Sequence, residues 1–300
     1  RQMTSKQTHI NESQITPPEM VDRIELNNDN IGYVENWDFS KANMSAESRI
    51  YYISKIASVC YANDKAIGSI SLYDRLACES AGLPSSSFEF VPVLIRASMV
   101  SALEVEPSNN WMKSSVKYGE LVDSCAGIQY LLTNLRALMA DVGDKADQFF
   151  NTEEECAIIA KHHKVFKAKI DIATRTQYIR HRVSWQELSR RYVSGKKSKL
   201  EFYISLKMKN VISTPPYSGQ EKDTTEYLID ACVNHYNQAI KDGVKPEEAR
   251  RILPQSLYTT IWSAWQPTQL QSFFDLRMDS HTQQEHQDLA CAMHTLVSES

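Results

Sequence analysis

Four arginines fall within the thirteen residues Arg180-His181-Arg182-Val183-Ser184-Trp185-Gln186-Glu187-Leu188-Ser189-Arg190-Arg191-Tyr192, and any fold this chain adopts has to place them. Arginine is the side chain best suited to planar, two-pronged capture of phosphate or carboxylate. A basic run is most often a solvated helix face or a nucleic-acid patch. The company is different here: His181, Glu187 and Ser189 offer hydrogen-bonding groups of three types, and Trp185 and Tyr192 offer flat apolar surface. A patch that only grips phosphates needs no such mixture. It suits a pocket for an anionic ligand that carries a ring with polar edges.

The rest of the composition narrows the classes. The net charge is -4, which argues against a general nucleic-acid binder, so the Arg-rich stretch is an exception within its own chain. The 9 glycines are spread too thinly to write a Gly-x-Gly-x-x-Gly or P-loop motif, so side chains must hold the phosphates of any bound nucleotide. Cys60, Cys78, Cys125, Cys156, Cys232 and Cys291 contain no Cys-x-x-Cys pair, and read as reduced, mostly core thiols. No apolar run approaches the roughly 20 residues that cross a bilayer, and the polar N-terminus lacks the apolar stretch of a signal peptide. The expectation is a cytoplasmic protein. No metal site is expected: His162 and His163 are adjacent, and His281 with Glu285 lacks a third ligand.

Along the chain, residues 1–45 read as a polar extension, with Pro17-Pro18 and Asn27-Asn28-Asp29-Asn30, flexible or laid over a neighbour. Apolar spacing predicts helices over Ala46–Cys60 and Ser69–Ala81, and a strongly helical segment around Tyr130–Met139. A loop follows Pro84 and turns strand-like by Val91, and another polar loop spans Glu106–Asn110. Val165–Ile172 alternates as an edge or half-buried strand would, and delivers the chain to a helix over Ala173–Arg180. Asp223-Thr224-Thr225-Glu226 reads as a capping box opening a helix to Ile240, with Leu228, Ala231, Cys232, His235 and Ala239 as its buried stripe. A helix from Pro246 is bent at Pro254, another ends near Arg277, and Ser280 caps a last one toward Gln283.

Two multi-residue patterns stand out. The triplet Arg180-His181-Arg182 is followed by Glu187-Leu188-Ser189 and Arg191-Tyr192, and Leu276-Arg277 is followed by Thr282-Gln283 and Glu285. Together they resemble the signatures of the flavin-dependent thymidylate synthases (the ThyX family), with a spacer after the triplet one residue shorter than usual. Ala249-Arg250 through Leu253-Pro254 to Tyr258-Thr259, Ser198 with Phe202-Tyr203, Ala57-Ser58-Val59-Cys60-Tyr61, and Ser86 with Phe88-Glu89 match further elements. The resemblance implies an α+β fold, a mixed or antiparallel sheet packed with helices. It also implies one domain over residues 46–300, with a helical insertion at about 97–161 before the signature motif.

The activity it implies is reductive methylation of dUMP to dTMP, with methylenetetrahydrofolate giving the carbon and FAD, reduced by NADPH, giving the hydride. Partners are dUMP, folate and further copies of the chain, a homotetramer with shared sites, and neither membrane nor nucleic acid. Arg277 is the expected catalytic cation, placed near uracil N3 and O2. Gln177, Arg180, Glu187, Ser189, Arg190, Arg191 and Arg250 are expected to hold dUMP with it. Ser86, Arg180, His181, Arg182, Glu187, Gln266, Ser272 and His281 are expected at FAD. The family's two histidines flanking Ser86 are Pro84 and Phe90 here, and its Asn-x-Arg flavin element reads Gln266-Pro267-Thr268, with Ser272 where a further Asn is usual. Asn134 and Arg136, in a similar Asn-x-Arg-x-Leu run, are the expected substitutes. Two alternatives remain: transfer of another one-carbon group, such as hydroxymethyl, to a pyrimidine nucleotide, and a non-enzymatic Arg-rich nucleic-acid-binding protein.

Overall fold

The structure, a computed structural model, describes residues 8–78, 82–98, 113–124, 126–214, 216–219 and 222–298. The expected loop at Glu106–Asn110, Cys125 and Ala81 lie outside the described residues. In chain order the strands are β1 (Glu19–Glu25), β2 (Tyr33–Asp38), β3 (Pro92–Arg96), β4 (Glu120–Asp123), β5 (Gln129–Asn134), β6 (Lys164–Asp171), β7 (Ser184–Glu187), β8 (Ile212–Ser213), β9 (Asp223–Thr224) and β10 (Tyr258–Trp265). The helices are α1 (Ala46–Ser58), α2 (Ile70–Ala77), α3 (Lys113–Lys117), α4 (Leu135–Val142), α5 (Glu153–His162), α6 (Ile172–Tyr178), α7 (Leu206–Lys209), α8 (Thr225–Lys241), α9 (Pro246–Ala249), α10 (Pro267–Arg277) and α11 (Gln284–Ser298).

An antiparallel five-stranded sheet, in the order β1-β2-β6-β10-β7, is the frame of the molecule. Successive residues of a strand face opposite sides, and β10 shows it. Trp262 and Ala264 belong to one core, with Phe39, Ile53, Phe88, Leu131 and Leu138, whereas Ile261 and Trp265 belong to the other, with Tyr178, Phe273, Leu289 and Met293. One face is therefore covered by α1, α4 and the antiparallel sheet β3-β5-β4, and the other by α6, α10 and α11. The architecture is α+β with antiparallel sheets packed with helices. No helix of the described residues is long and apolar enough to cross a membrane.

Several expectations are corrected. Residues 19–38, read as part of a polar extension, form two strands of the main sheet, and β2 pairs with both β1 and β6. β1 is polar because it is an edge strand with nearly every residue exposed. The asparagine-rich stretch is the turn between the two strands: Asn27, Asn28 and Asn30 sit at φ 63, 52 and 57, a left-handed conformation that Asn tolerates well. β6 is the middle strand of the sheet, not an edge. The helix expected over Tyr130–Met139 is half strand, because β5 runs to Asn134, whose side-chain oxygen then accepts from Ala137 N at 2.9 Å and starts α4. The segment 97–161 is therefore not purely helical; it supplies β4 and β5 as well as α3, α4 and most of α5.

Helix ends moved for local reasons. Thr224, not Asp223, caps α8, while the Asp223 carboxylate accepts from Tyr217 N and Ser218 N. The buried residues of α8 are Ile229 and Tyr236 in place of the expected stripe, since the helix docks through Tyr236, whose hydroxyl accepts from Gly195 N at 3.3 Å. α11 begins at Gln284, after a turn in which Thr282 N donates to Asp279 O, later than a cap at Ser280 would give.

Candidate active site

Asp171 ends β6 and caps α6, its carboxylate accepting from Thr174 N at 3.0 Å and Thr174 Oγ1 at 2.7 Å. α6 stops at Tyr178, two residues short of the expected end. The triplet leaves it in tight turns, with Arg180 N on Gln177 O and His181 N on Tyr178 O, both 3.3 Å. His181 is thereby laid edge-on to Phe273 of α10, with ring centroids 5.0 Å apart and an interplanar angle of 89°. Arg277, the last residue of α10, donates Nε to His181 Nε2 at 3.0 Å. Nε2 is the acceptor, so Nδ1 carries the proton and the ring is neutral. Burial, and then the Arg277 charge, push the His181 pKa down to about 4.

The same corner gathers the second pattern. Gln177 donates its amide to Gln283 Oε1, and its own oxygen faces His286 Nδ1 at 3.4 Å. His286 is fully buried, its Nε2 meets no partner, and burial with Arg277 and His181 lowers its pKa to about 3. Sequence reasoning missed His286; it is the residue after Glu285 in the Arg277 motif, and only its inward turn on α11 brings it to Gln177.

At the end of β7, Glu187 accepts from Arg175 Nε at 2.8 Å and from Thr259 Oγ1 at 2.9 Å. Arg175 was not foreseen, because its partnership depends on β7 lying beside β10. Next to Glu187, Ser86 Oγ donates to Gln186 Oε1 at 3.2 Å, Gln186 Nε2 donates to Cys60 Sγ at 2.9 Å, and Ser189 N donates to Cys60 O at 3.2 Å. Tyr61 and Tyr192 stack at 5.1 Å. The Ser86 loop, the Cys60-Tyr61 end of α1 and the Glu187-Ser189 segment thus meet at one place.

Beside the end of β10, the start of α10 and the β3-β5-β4 layer lies a cavity of about 540 Å³, lined by Thr133, Asn134, Arg136, His163, Arg182 and Gln266 among others, and not by His181, Arg277, Glu187 or Ser86. Among the described residues no three His, Cys, Asp or Glu side chains are grouped as a metal site would need.

The family model of the thymidylate synthase complementing proteins matches residues 155–300. A flavin-dependent thymidylate synthase of Thermotoga neapolitana is 35% identical over 144 residues, 45% of this chain and 61% of that protein. One of Thermosipho africanus is 32% identical over 145 residues, 45% of this chain and 62% of that protein. A probable flavin-dependent thymidylate synthase of Paramecium bursaria Chlorella virus 1 is 32% identical over 146 residues, 44% of this chain and 68% of that protein. The chain belongs to the flavin-dependent thymidylate synthase family. It spans about three fifths of the length of the first two of these relatives.

Within this flavin-dependent thymidylate synthase fold, not every expected residue is free to meet a ligand. Arg190 is turned inward, 8% exposed, and its two terminal nitrogens donate to the carbonyls of Ser198 at 2.7 Å and Lys199 at 3.0 Å. It closes the 194–200 loop, which corrects its expected role at phosphate. Arg191 donates Nε to Glu247 at 3.0 Å, and Arg250, three residues after Glu247, is exposed. Arg180 and Arg182 are exposed and form no ion pair among the described residues. Gln266 uses its amide on Tyr118 O and Leu132 O, both 3.0 Å, so it clamps α10 to the smaller sheet although it lines the cavity. Ser272 lies on the exposed face of α10. His281, with a side chain 94% exposed, bonds Asp279 at 2.8 Å and stands outside the corner that holds His181. In this chain alone neither Ser272 nor His281 reaches the cavity lining.

Proposed function

We propose that this chain converts dUMP to dTMP, with methylenetetrahydrofolate as carbon donor and FAD, reduced by NADPH, as hydride source, as a cytoplasmic homotetramer with shared sites. The observation that carries this reading is the bond from Arg277 to His181, 96 residues apart in sequence, which joins the two signature patterns into one corner. The family membership of the chain and the flavin dependence named in its relatives support it. Residues 46–300 would act as one domain with an insertion at about 97–161, and β1 and β2 would complete its sheet.

When bound, FAD would supply the redox chemistry. The chain's part is placement and electrostatics. Uracil C5 is a weak nucleophile until charge can gather on the ring's oxygens, and a fixed guanidinium beside N3 and O2 stabilises that charge as it develops. Arg277 suits the task, because its Nε is tied to His181 and its terminal nitrogens remain for the substrate. A neutral His181 accepts that bond without competing for the anion. Ser189, Arg191 and Arg250 suit the dUMP phosphate, and Gln177 and Arg180 suit its sugar side. Glu187 holds Arg175 and Thr259 in position from within the same cluster.

An absorption spectrum of purified protein tests the reading. Flavin bands that shift when dUMP is added, and dTMP as the product once methylenetetrahydrofolate and NADPH are supplied, are expected. Protein that stays colourless after FAD addition, or a hydroxymethyl product, would overturn it.

A further inference from the structure

His286 on α11 sits where the surroundings ask for an apolar side chain. It is fully buried, and its ring lies among those of Phe273, Tyr178 and His181 at centroid distances of 5.8, 6.2 and 6.3 Å. Its Nε2 meets no partner. A leucine would fill such a place without stranding a nitrogen, and an unpaired buried polar atom is destabilising. The polar contact that the ring does make is at Nδ1, 3.4 Å from Gln177 Oε1.

That contact is the inner end of a hydrogen-bonded chain whose direction is set from its outer end. The Glu285 carboxylate can only accept. Gln283 therefore turns its amide nitrogen to Glu285 Oε2, at 2.9 Å, while the Tyr203 hydroxyl donates to the other carboxylate oxygen at 3.4 Å. With its nitrogen so used, Gln283 presents its oxygen to Gln177, which answers with its own nitrogen. Gln177 is left with its oxygen toward His286, and an oxygen needs a donor. His286 is neutral, because burial, and then the charges of Arg277 and His181, lower its pKa to about 3. A neutral imidazole carries one proton, and this chain of bonds requires it on Nδ1. The bare, unpaired Nε2 follows from that tautomer.

We propose that His286 is a positioning residue for the nucleotide: its Nδ1–H, together with Gln283, locks the Gln177 amide in one orientation, so that the second hydrogen of Gln177 Nε2 is offered to an acceptor oxygen of dUMP. The proposal rests on the placement of dUMP at Gln177 and Arg277, and adds to it a residue from inside the fold that touches no substrate. Without the donor at 286, the Gln177 amide is free to turn over and meet the same oxygen with its own.

Two measurements on the intact chain with FAD supplied test it. In protein labelled with ¹⁵N at histidine, the His286 ring should give the NMR pattern of a neutral tautomer protonated on Nδ1. A ring protonated on Nε2 overturns the proposal before any variant is made. The dissociation constant for dUMP, read by calorimetry, follows the consequence. His286→Leu should melt no lower than the wild type, since it removes the stranded nitrogen, and should bind dUMP about fivefold more weakly, the size of one neutral hydrogen bond. His286→Asn, which keeps an N–H donor near the place of Nδ1, should bind dUMP within about twofold of wild type. In a Gln177→Leu background, His286→Leu should change the affinity by less than about 1.5-fold, because the residue it acts through is gone. Equal affinity in wild type and His286→Leu, or the same loss with and without Gln177, refutes the positioning role while dUMP binding itself stands. A wild type that binds no dUMP refutes the reading of the site as well. Should His286→Leu not fold, the tautomer decides alone.

Discussion

Replacing Arg277 by lysine keeps the charge and removes the geometry. Arg277 donates Nε to His181 Nε2 at 3.0 Å, which fixes the guanidinium plane and leaves two terminal nitrogens for a substrate. A lysine has a single nitrogen. If that nitrogen bonds His181, its charge is held at the imidazole; if it reaches for the uracil, His181 loses its donor and the ammonium is no longer oriented. Removing one preorganised donor from a developing anion costs about 10²–10³ in kcat, or about 2.7–4 kcal/mol. The fold should survive, because position 277 ends α10 and a lysine there keeps the favourable interaction with the helix C-terminus. The assay is dTMP formation at saturating folate and NADPH over a range of dUMP, with melting temperature as the control. An Arg277→Lys enzyme with the wild-type melting point and kcat within about threefold of wild type would refute the reasoning. A companion measurement reads the same contact without turnover. Arg277→Gln removes the second cause holding His181 at about 4, so the imidazole should titrate higher by NMR; an unmoved titration would place Arg277 away from the ring in solution.

Phe273 is fully buried, in ring contact with Tyr178, His181, Trp265 and His286, so Phe273→Ala should cost about 3–5 kcal/mol in denaturant unfolding and disorder the His181–Arg277 corner with it. Arg190→Met should lower stability by about 1.5–3 kcal/mol for each lost charged bond, partly offset by its apolar chain, with little effect on dUMP affinity. Unchanged stability with a tenfold loss of dUMP affinity would return Arg190 to the phosphate. Stability should also fall as pH drops from about 6.5 toward about 4. The folded chain holds His163 and His181 neutral down to about 4 and His286 to about 3, whereas the unfolded chain protonates them near 6.5, so acid favours the unfolded state in that window. A melting temperature flat across that range would contradict these burials.

What was legible and what was not divides by physical cause. α1, α2 and the end of α10 were readable, because capping residues and apolar spacing act within a few positions of one another. β10 was not. Tyr258-Thr259-Thr260-Ile261-Trp262-Ser263-Ala264-Trp265 is covered on both faces, and a strand buried twice loses the alternation that would announce it. β1 hid for the opposite reason, since an edge strand with exposed residues looks like polar tail. Tyr130-Leu131-Leu132 is a short apolar run that suits helix or strand equally, and its pairing with both β3 and β4 made it strand. At the site, the sequence offered the motif residues as a set and not as a geometry. Arg190 and Arg191 are neighbours in sequence, yet one closes a loop from inside and the other meets Glu247 outside.

The sequence by itself determined the chemistry on offer: guanidinium groups, a triplet histidine and a hydroxyl, with too little glycine for a backbone phosphate cradle. Only the tertiary structure decided which of those groups face one another. The antiparallel register of β6, β10 and β7 sets α6 against α10, so that His181 receives Arg277, and the smaller sheet closes a cavity over Thr133 and His163. Contacts of that kind join residues many tens of positions apart, and their energy exists only once the intervening chain has packed.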